Sequence, residues 1–340
     1  MRPVSDDELQ HAASMLVRSC LKIVSGERLA LVGDAECSPV LQAIENAGRE
    51  AGADVSVLRL DQLRSYSTNH TGERPHKVLP DAVRRAMLSS QASVFLATNS
   101  HGETPMRDQL LHIVGACKLR HVHMPGVTPL AFATGLAGDF DAMARAGRAL
   151  VDRLETAREI TSESADGTKL VVRGGRRWVS RFGELGPGAS ISLPAGSVFT
   201  APESVSGRFA ASVVGEFFGA REGLLQEPVV FDIVEGVVMN VTAPSSPELV
   251  RDIENMLHVA PNSDHVGLIV IGVNEGIGAA TGDVSVDQHR PGLHLVFGDP
   301  QGKLTGAPWS ARTTFAVCQA KGNVRVDGVV VAEDGRLIPS

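Results

Sequence analysis

The residues of this sequence that could do chemistry fall into four short groups. Residues 32–34 (Val-Gly-Asp) follow an apolar run where a phosphate-binding loop would lie, although neither a GxGxxG nor a GxxxxGK(S/T) pattern is present. Residues 99–103 (Asn-Ser-His-Gly-Glu) follow another apolar run, at the end of a strand where open α/β sheets place ligands. Each of these two groups can also be an ordinary turn between a strand and a helix, and the sequence leaves both interpretations open.

The other two groups carry histidine and arginine. His121 and His123 alternate along one predicted strand, so they share a face and have a spacing that can chelate a metal ion. No carboxylate or third ligand lies near them in sequence, which favours structural packing. Residues 173–177 (Arg-Gly-Gly-Arg-Arg) are interpreted as an exposed hairpin tip or, alternatively, as a local anion site.

Helix and strand patterns alternate over the first 160 residues. Ser5 and Glu8 have the spacing of a capping box and predict the start of the first helix. Strands separated by helices of this length indicate βαβ units in a parallel sheet. The predicted helices are 6–24, 39–51, 80–90 and 106–117, and the predicted strands are 28–35, 53–60, 92–99 and 120–125.

From about residue 165 the chain consists of short β-rich runs punctuated by glycine and proline. One clear helix is predicted over 246–257, with Pro247 in its first turn. The fold class predicted is therefore α/β, with an N-terminal parallel-sheet, Rossmann-like α/β domain (1–162) followed by a β-rich, α+β domain (163–340). The boundary is expected within 158–167.

Composition limits the classes of protein that this chain can belong to. Its 340 residues are 43% hydrophobic and 21% charged, which is typical of a globular protein of two domains. A net charge of −7 argues against nucleic-acid and membrane partners. Cys20, Cys37, Cys117 and Cys318 are too dispersed for a disulfide framework or a zinc ribbon. We expect a cytoplasmic protein, since neither a signal peptide nor a membrane span is evident.

A longer motif carries a family resemblance. The segment LPAGSVFTAPESVSGR (193–208) resembles the hallmark of the M29 family of metalloaminopeptidases, the aminopeptidase T group, and of their relative 2,5-dihydroxypyridine dioxygenase. HMPGVTPLAF precedes it, and SDHVGLIVIGVNEGIG, PGLHLVFGDP and VRVDGVVVAEDGRL follow it, in the order of that family. The resemblance covers most of the chain. It implies an α/β domain joined to a β-rich, M29-like domain, a cleft between the two, and a homodimer.

The resemblance also implies where the metal ligands of the family fall in this chain. A glutamate of the peptidases falls on Ser197, a ligand that is glutamate or histidine falls on His265, and a histidine falls on His294. The final His-x-Asp pair falls on Thr314 and Ala316. Two imidazoles and no carboxylate remain, which is too few acidic donors for a dinuclear or Fe(II) site. We therefore expect no metal and no other cofactor.

Nearby residues leave a rebuilt metal site open as an alternative. Asp264, His289 and Asp299 lie close to the inherited positions, and Asp287 has a spacing to His289 that can chelate. Glu203 is acidic but does not stand at a ligand position.

The resemblance extends to the peptide-binding proteins that help to build crocagin, a ribosomally made and tailored peptide. The leading hypothesis is a metal-free peptide-binding protein that assists tailoring or cyclisation of such a precursor, with a peptide or small molecule as its ligand. The alternatives are a metal-dependent aminopeptidase or Fe(II) ring-cleaving dioxygenase with altered ligands, and a dimeric structural or regulatory protein. Whether the chain is an enzyme stays open at this point.

Six residues are the candidates for the site. His265 and His294 are the candidate catalytic general bases, because imidazole titrates near neutral pH. Arg208 is a candidate clamp for a ligand carboxylate through its planar fork of donors. The residues expected to contact the ligand are Ser197, Glu203, Arg208 and Thr314.

Overall fold

The computed structural model describes residues 3–63, 78–98, 104–183 and 185–338, so the group at 99–103 lies outside the described residues. The chain forms two compact units. One comprises Met1–Phe140 and Gly183–Pro194, and the other comprises Asp141–Phe182 and Ala195–Ser340. The chain therefore passes between the units three times, whereas the sequence placed a single boundary after residue 162.

None of the helices in the described ranges has the length and apolar character needed to cross a membrane.

The first unit alternates helices with parallel strands. Its first four strands are β1 (Arg28–Gly33), β2 (Asp54–Arg59), β3 (Ala92–Phe95) and β4 (Arg120–His123). Its helices are α1 (Asp6–Met15), α2 (Ser38–Glu50), α3 (Leu60–Leu63), α4 (Asp81–Leu88), α5 (Thr104–Cys117) and α6 (Pro129–Gly135).

The predicted capping box at the start of α1 is confirmed. The Ser5 hydroxyl accepts a hydrogen bond from the Glu8 backbone N–H, and the Glu8 carboxylate accepts one from the Ser5 N–H. The regular helix ends at Met15, however, and a π-helical turn over Leu16–Cys20 carries the chain to Lys22, which has a positive φ of 49°. The helix predicted over 6–24 is therefore shorter than the apolar pattern indicated.

Antiparallel strands dominate the rest of the chain. In chain order the strands are β5 (Glu159–Glu163), β6 (Lys169–Gly175), β7 (Val179–Arg181), β8 (Ser190–Ser192), β9 (Ser197–Thr200), β10 (Pro202–Ala211), β11 (Val213–Val214), β12 (Val229–Val234), β13 (Val237–Thr242), β14 (Val266–Gly272), β15 (Gly292–Gly298), β16 (Thr314–Cys318), β17 (Asn323–Val326), β18 (Val329–Glu333) and β19 (Arg336–Leu337). The helices are α7 (Phe140–Leu154), α8 (Glu216–Glu222), α9 (Pro247–Leu257), α10 (Val284–Asp287) and α11 (Gly302–Thr305).

The parallel sheet of the first unit has the order β2-β1-β3-β4-β8. Its fifth strand, β8, comes from far along the chain and pairs in parallel with β4, with Ile191 opposite Val122. The sequence predicts a strand here but assigns it to the β-rich half. The fold class itself is confirmed, with a parallel-sheet α/β part and a β-rich part.

The second unit contains two sheets. The eight-stranded sheet has the order β13-β12-β10-β6-β5-β17-β18-β19, and the six-stranded sheet has the order β11-β16-β15-β14-β9-β7. The rings of Phe231 on β12 and Phe297 on β15 lie 5.1 Å apart between their centroids, so the two sheets pack against each other there. Since side chains alternate along a strand, His294 and Val296 of β15 lie on the opposite face of the six-stranded sheet.

Candidate functional site

A cavity of about 470 Å³ opens on the face of the six-stranded sheet that carries Val296. Phe199 of β9, Leu268 and Val270 of β14, and Val296 of β15 form its floor and pack together as a buried apolar cluster. These residues meet because β14 pairs with both β9 and β15, which sets Val270 beside Phe199. The floor of the cavity is therefore apolar.

Aromatic and aliphatic side chains form one wall. The Phe218 ring packs edge-to-face against Phe217, at 5.4 Å, and against Phe315, at 5.7 Å. Phe217 is 70% exposed although it lines the cavity. Gly215 has a φ of 56°, and a Cβ there would lie 2.5 Å from the Phe315 ring, so glycine lets the chain turn into α8 against that ring. Met256 and Val284 complete the wall.

A buried serine and histidine give the cavity its first polar contact. The Ser197 hydroxyl lies 3.2 Å from Nδ1 of His289, and both residues are buried. Burial, and then the positive charge of Arg181, lowers the pKa of His289 to about 3, so the ring is neutral at neutral pH. The second ring nitrogen of His289 has no hydrogen-bond partner among the described residues.

Arg181 is the charged residue of the cavity. It ends β7, directly opposite Ser197 of β9, and its side chain is exposed. The guanidinium carbon lies 4.7 Å from the centroid of the Phe199 ring, and Nη2 donates a hydrogen bond to Oε1 of Gln301 at 3.1 Å. Desolvation lowers the pKa of Arg181, yet an arginine stays protonated at neutral pH. Among the described residues, Arg181 has no ion pair, and no aspartate or glutamate lines the cavity.

The structure brings together three of the positions that the family resemblance marks. Ser197 on β9, and Thr314 and Ala316 on β16, all line the cavity. His294 lies on the face of β15 that carries Val296, but it is fully buried and does not line the cavity. Its Nε2 donates to the Arg290 carbonyl at 2.9 Å, and burial lowers its pKa to about 4. Its Nδ1 has no partner among the described residues.

The structure does not bring His265 to the cavity. This residue precedes β14, its side chain is 39% exposed, and its Nδ1 lies 2.8 Å from Oδ1 of Asp264. Its ring packs beside Trp309 at 5.6 Å. The residues of β14 that face the cavity are Leu268 and Val270.

Glu203 and Arg208 also lie outside the cavity, both on β10. Glu203 is exposed and lies over Gly174, where its carboxylate would meet any added Cβ. Arg208 is exposed and pairs with Asp232, with Nε 3.1 Å from Oδ1. Their roles in ligand binding stay predictions of the sequence, and Arg181, which the sequence did not single out, is the arginine that lines the cavity.

The carboxylates that offered a rebuilt metal site are already engaged by the chain. Asp287 is buried and accepts hydrogen bonds from the backbone N–H groups of Thr281 and Gly282 and from the Thr281 hydroxyl. Asp299 accepts one from the Gln301 N–H. Across the described ranges, there is no cluster of three or more His, Cys, Asp or Glu side chains able to hold a metal ion.

The whole chain matches two solved structures in fold. A 2,5-dihydroxypyridine dioxygenase from Pseudomonas putida aligns with a TM-score of 0.68 and 16% identity, over 99% of both chains. Wild-type AmpT from Thermus thermophilus aligns with a TM-score of 0.65 and 17% identity, over 98% of this chain and 99% of that one. The chain has an M29-like fold. No family model and no curated protein matches the sequence, and at these identities the likeness shows the fold alone.

The residues of this cavity do not fit the metal that the resemblance implies. Ser197 and Thr314 offer neutral hydroxyls, which are weak ligands for a divalent ion, and Ala316 offers none. The Ser197 hydroxyl already bonds His289, and the Nε2 of His294 already bonds a backbone carbonyl. No carboxylate among the described residues lines the cavity to balance the charge of an ion.

The glycine turn at residues 32–34 serves the fold of the first unit. The buried carboxylate of Asp34 accepts hydrogen bonds from the backbone N–H groups of Thr98, at 2.7 Å, and Cys37, at 3.4 Å. Burial raises the pKa of Asp34, but these hydrogen bonds outweigh it and the pKa falls below its usual value. The Asp34 carboxylate thus joins the ends of two neighbouring strands, and the turn interpretation fits better.

The two histidines of β4 form a hydrogen-bonded chain with a serine. Ser93 Oγ lies 2.8 Å from Nδ1 of His121, whose Nε2 lies 3.2 Å from Nδ1 of His123. The His123 ring stacks on Phe95 at 5.0 Å. Burial lowers the pKa of His121 to about 3 and that of His123 to about 4, so both are neutral and packed.

The arginine group at 173–177 is not a hairpin tip. It joins β6 of the eight-stranded sheet to β7 of the six-stranded sheet. Arg173 pairs with Glu159 at 3.5 Å, and the backbone N–H groups of Arg176 and Arg177 bond the carbonyls of Ala201 and Thr305. A hairpin was expected because the sequence does not show that adjacent strands belong to different sheets.

Proposed function

We propose that this chain is a metal-independent binding protein whose ligand, a peptide or small molecule, occupies the cavity of the six-stranded sheet. The main support for the proposal is the type of residue found at the positions where the family resemblance places metal ligands. Ser197, Thr314 and Ala316 line a cavity with an apolar floor where a metalloenzyme needs carboxylates and imidazoles.

The size and lining of the cavity support a binding role. A volume of about 470 Å³ lies within the range of roughly 300–1,000 Å³ that is typical of small-molecule sites. Such sites combine apolar walls with a few polar groups that fix orientation. The floor around Phe199 and the polar groups of Arg181 and His289 fit that description.

The protonation of the cavity histidine favours binding over acid–base catalysis. A general base works best when its pKa lies near the operating pH. The pKa of His289 is lowered to about 3, and that of the buried His294 to about 4, so both accept protons poorly at neutral pH. His289 can still orient a ligand through a hydrogen bond.

The biological setting that we propose is assistance in tailoring or cyclisation of a ribosomally made precursor peptide. This part of the proposal rests on the resemblance of the sequence to crocagin-building proteins. The rival function is a metal-dependent aminopeptidase or ring-cleaving dioxygenase, which the fold of the two solved structures favours.

Blocking the mouth of the cavity tests the proposal. The probes are fluorescein-labelled pentapeptides, Gly-Gly-Gly-Ala followed by a variable last residue, and the readout is fluorescence anisotropy. Thr314→Trp places a large ring at an exposed position of the lining, and we expect at least a tenfold loss of affinity, about 1.4 kcal/mol. Thr156→Trp, at an exposed position after α7, is the matched control. Equal binding by wild type and Thr314→Trp, or no binding of any probe, would overturn the proposal.

We further propose that the chain forms a homodimer. β13 is the terminal strand of the eight-stranded sheet. Its first residue forms a bridge with His265, and the edge that follows is a surface that association can cover. Val234 and Met239, on β12 and β13, are 55% and 66% exposed. Light scattering at micromolar concentration should give the mass of a dimer, and a monomer mass would contradict this.

A further inference from the structure

Arg181 is held in place without a carboxylate partner. The Phe199 ring packs under its guanidinium at 4.7 Å, and Gln301 accepts one of its N–H groups at 3.1 Å. Its remaining donors have no partner among the described residues. The contact with the ring and the hydrogen bond to Gln301 restrict the guanidinium, so part of the cost of ordering it is met before a ligand arrives.

The rest of the lining adds donors but no negative charge. The polar residues beside Arg181 are all uncharged: Ser197, Gln288, His289, Gln301 and Thr314. When Ser197 donates its hydroxyl proton to Nδ1 of the neutral His289, the other ring nitrogen carries the proton and is a second donor for a ligand. A cavity with one arginine and no acidic lining residue favours an anion.

The apolar wall indicates what is attached to that anion. Phe217 lines the cavity and is 70% exposed, with Phe218 packed edge-to-face against it. Met256 and Leu268 complete an apolar surface that a flat or large aliphatic group would cover. The lining therefore has a cationic part and an aromatic part.

We propose that the cavity binds a carboxylate attached to an aromatic or large aliphatic group, with the Arg181 guanidinium as the anchor of the carboxylate. This inference rests on the proposed binding function and names the ligand class. A free aromatic acid and the C-terminal residue of a peptide share this chemistry. Arginine recognises a carboxylate through two parallel N–H···O bonds, which makes the anchor specific for a planar anion.

Replacing the carboxylate by an amide tests the inference without any mutation. The probes are N-acetylphenylalanine and the peptide Gly-Gly-Gly-Ala-Phe, each as the free acid and as the carboxamide, titrated by calorimetry. We expect the acid of at least one pair to bind ten- to a hundredfold more tightly than its amide. Tighter binding by the small acid points to a free aromatic acid, and tighter binding by the peptide acid points to a peptide terminus.

Substitutions of Arg181 test whether this side chain causes the preference for acid over amide. Arg181→Gln should remove the preference for acid over amide, and Arg181→Lys should keep part of it because the charge remains. Arg325→Gln, at an exposed arginine of β17, is the matched control and should bind as the wild type does. Thermal melting confirms that each variant is folded.

The outcomes separate this inference from the proposed function. Equal affinity of acid and amide for the wild type would overturn the carboxylate anchor but leave ligand binding in the cavity intact. Binding of none of the four probes, together with none of the labelled pentapeptides, would overturn both. A preference for acid that survives Arg181→Gln would assign the anchor to another residue.

Discussion

The Ser197 hydroxyl bonds Nδ1 of His289 at 3.2 Å across 92 positions of sequence. Ser197 stands where the family resemblance places a metal-binding glutamate. This chain therefore joins a neutral hydroxyl to one nitrogen of a neutral imidazole at that position, and these two atoms satisfy each other without an ion. In the binding role that we propose, Arg181 and the apolar surface of the cavity around them hold the ligand.

Restoring the donors of the family should restore metal binding. In the triple variant Ser197→Glu, Thr314→His, Ala316→Asp, two carboxylates and an imidazole line one cavity, a donor set that suits a divalent transition metal. After dialysis against Mn²⁺ or Zn²⁺, elemental analysis should find about one ion per chain in the variant and only traces in the wild type. Thr242→His controls for added histidine. A folded triple variant that holds no metal would contradict the assignment of these positions.

Gly272 of β14 should tolerate no side chain. A Cβ there would collide with the carbonyl of Arg290, where the two backbones form a bridge. We expect Gly272→Ala to lower the free energy of unfolding by about 1–3 kcal/mol through overpacking. Gly278→Ala is the control, because nothing lies within 4 Å of a Cβ there. Urea unfolding measures both, and equal stabilities would contradict the close approach.

Stability should fall as pH drops from about 6.5 toward 4. The pKa values of His121 and His289 are lowered to about 3 and that of His294 to about 4, from an ordinary value of 6.5. The unfolded chain takes up protons first in this window, so each histidine lowers the free energy of unfolding by up to about 1.4 kcal/mol per pH unit.

A substitution identifies the source of this pH dependence. His121→Gln should make the slope of unfolding free energy against pH shallower, because one buried imidazole no longer titrates. His258→Gln, at an exposed residue, should leave the slope unchanged. Slopes that are the same for both variants and the wild type would show that burial of His121 does not set the pH dependence.

Substitution of Arg208 should not affect binding of the ligand carboxylate, whereas substitution of Arg181 should weaken it. Arg208 forms an exposed pair with Asp232, and such pairs contribute about 0–1 kcal/mol to stability. Arg208→Gln should therefore change the free energy of unfolding little and leave the preference for acid over amide intact. If Arg208 were the clamp expected from sequence, the same variant would lose roughly 1.5–3 kcal/mol of binding energy, ten- to a hundredfold in Kd.

The sequence predicted the elements whose signals are local. The capping box of Ser5 and Glu8 and the proline at the start of α9 mark helix starts within a few residues. β8 is different, because three residues of serine and isoleucine carry no information about the strand that they pair with. Only the tertiary fold shows that β8 extends the parallel sheet beside β4.

The candidate site was predictable only in part, because it also depends on which strands pair with each other. The segment 193–208 identified Ser197, and the position of the family's final His-x-Asp pair identified Thr314. The structure places both residues in one cavity. Arg181 has no motif around it. It becomes part of the cavity because β7 pairs with β9 in a register that sets it opposite Ser197, and register depends on contacts that a single strand does not encode.

Ligand affinity in the absence of metal is the most direct test of the proposed metal-independent binding. Gly-Gly-Gly-Ala-Phe is titrated by calorimetry into the purified protein before and after dialysis against a chelator, and the metal content of both samples is measured. We expect the same Kd in both samples within about twofold, or 0.4 kcal/mol, since in the proposed function Arg181 and the apolar lining supply the binding energy. A stoichiometric divalent metal in the first sample, with binding that is lost on chelation and regained on adding that metal back, would contradict it.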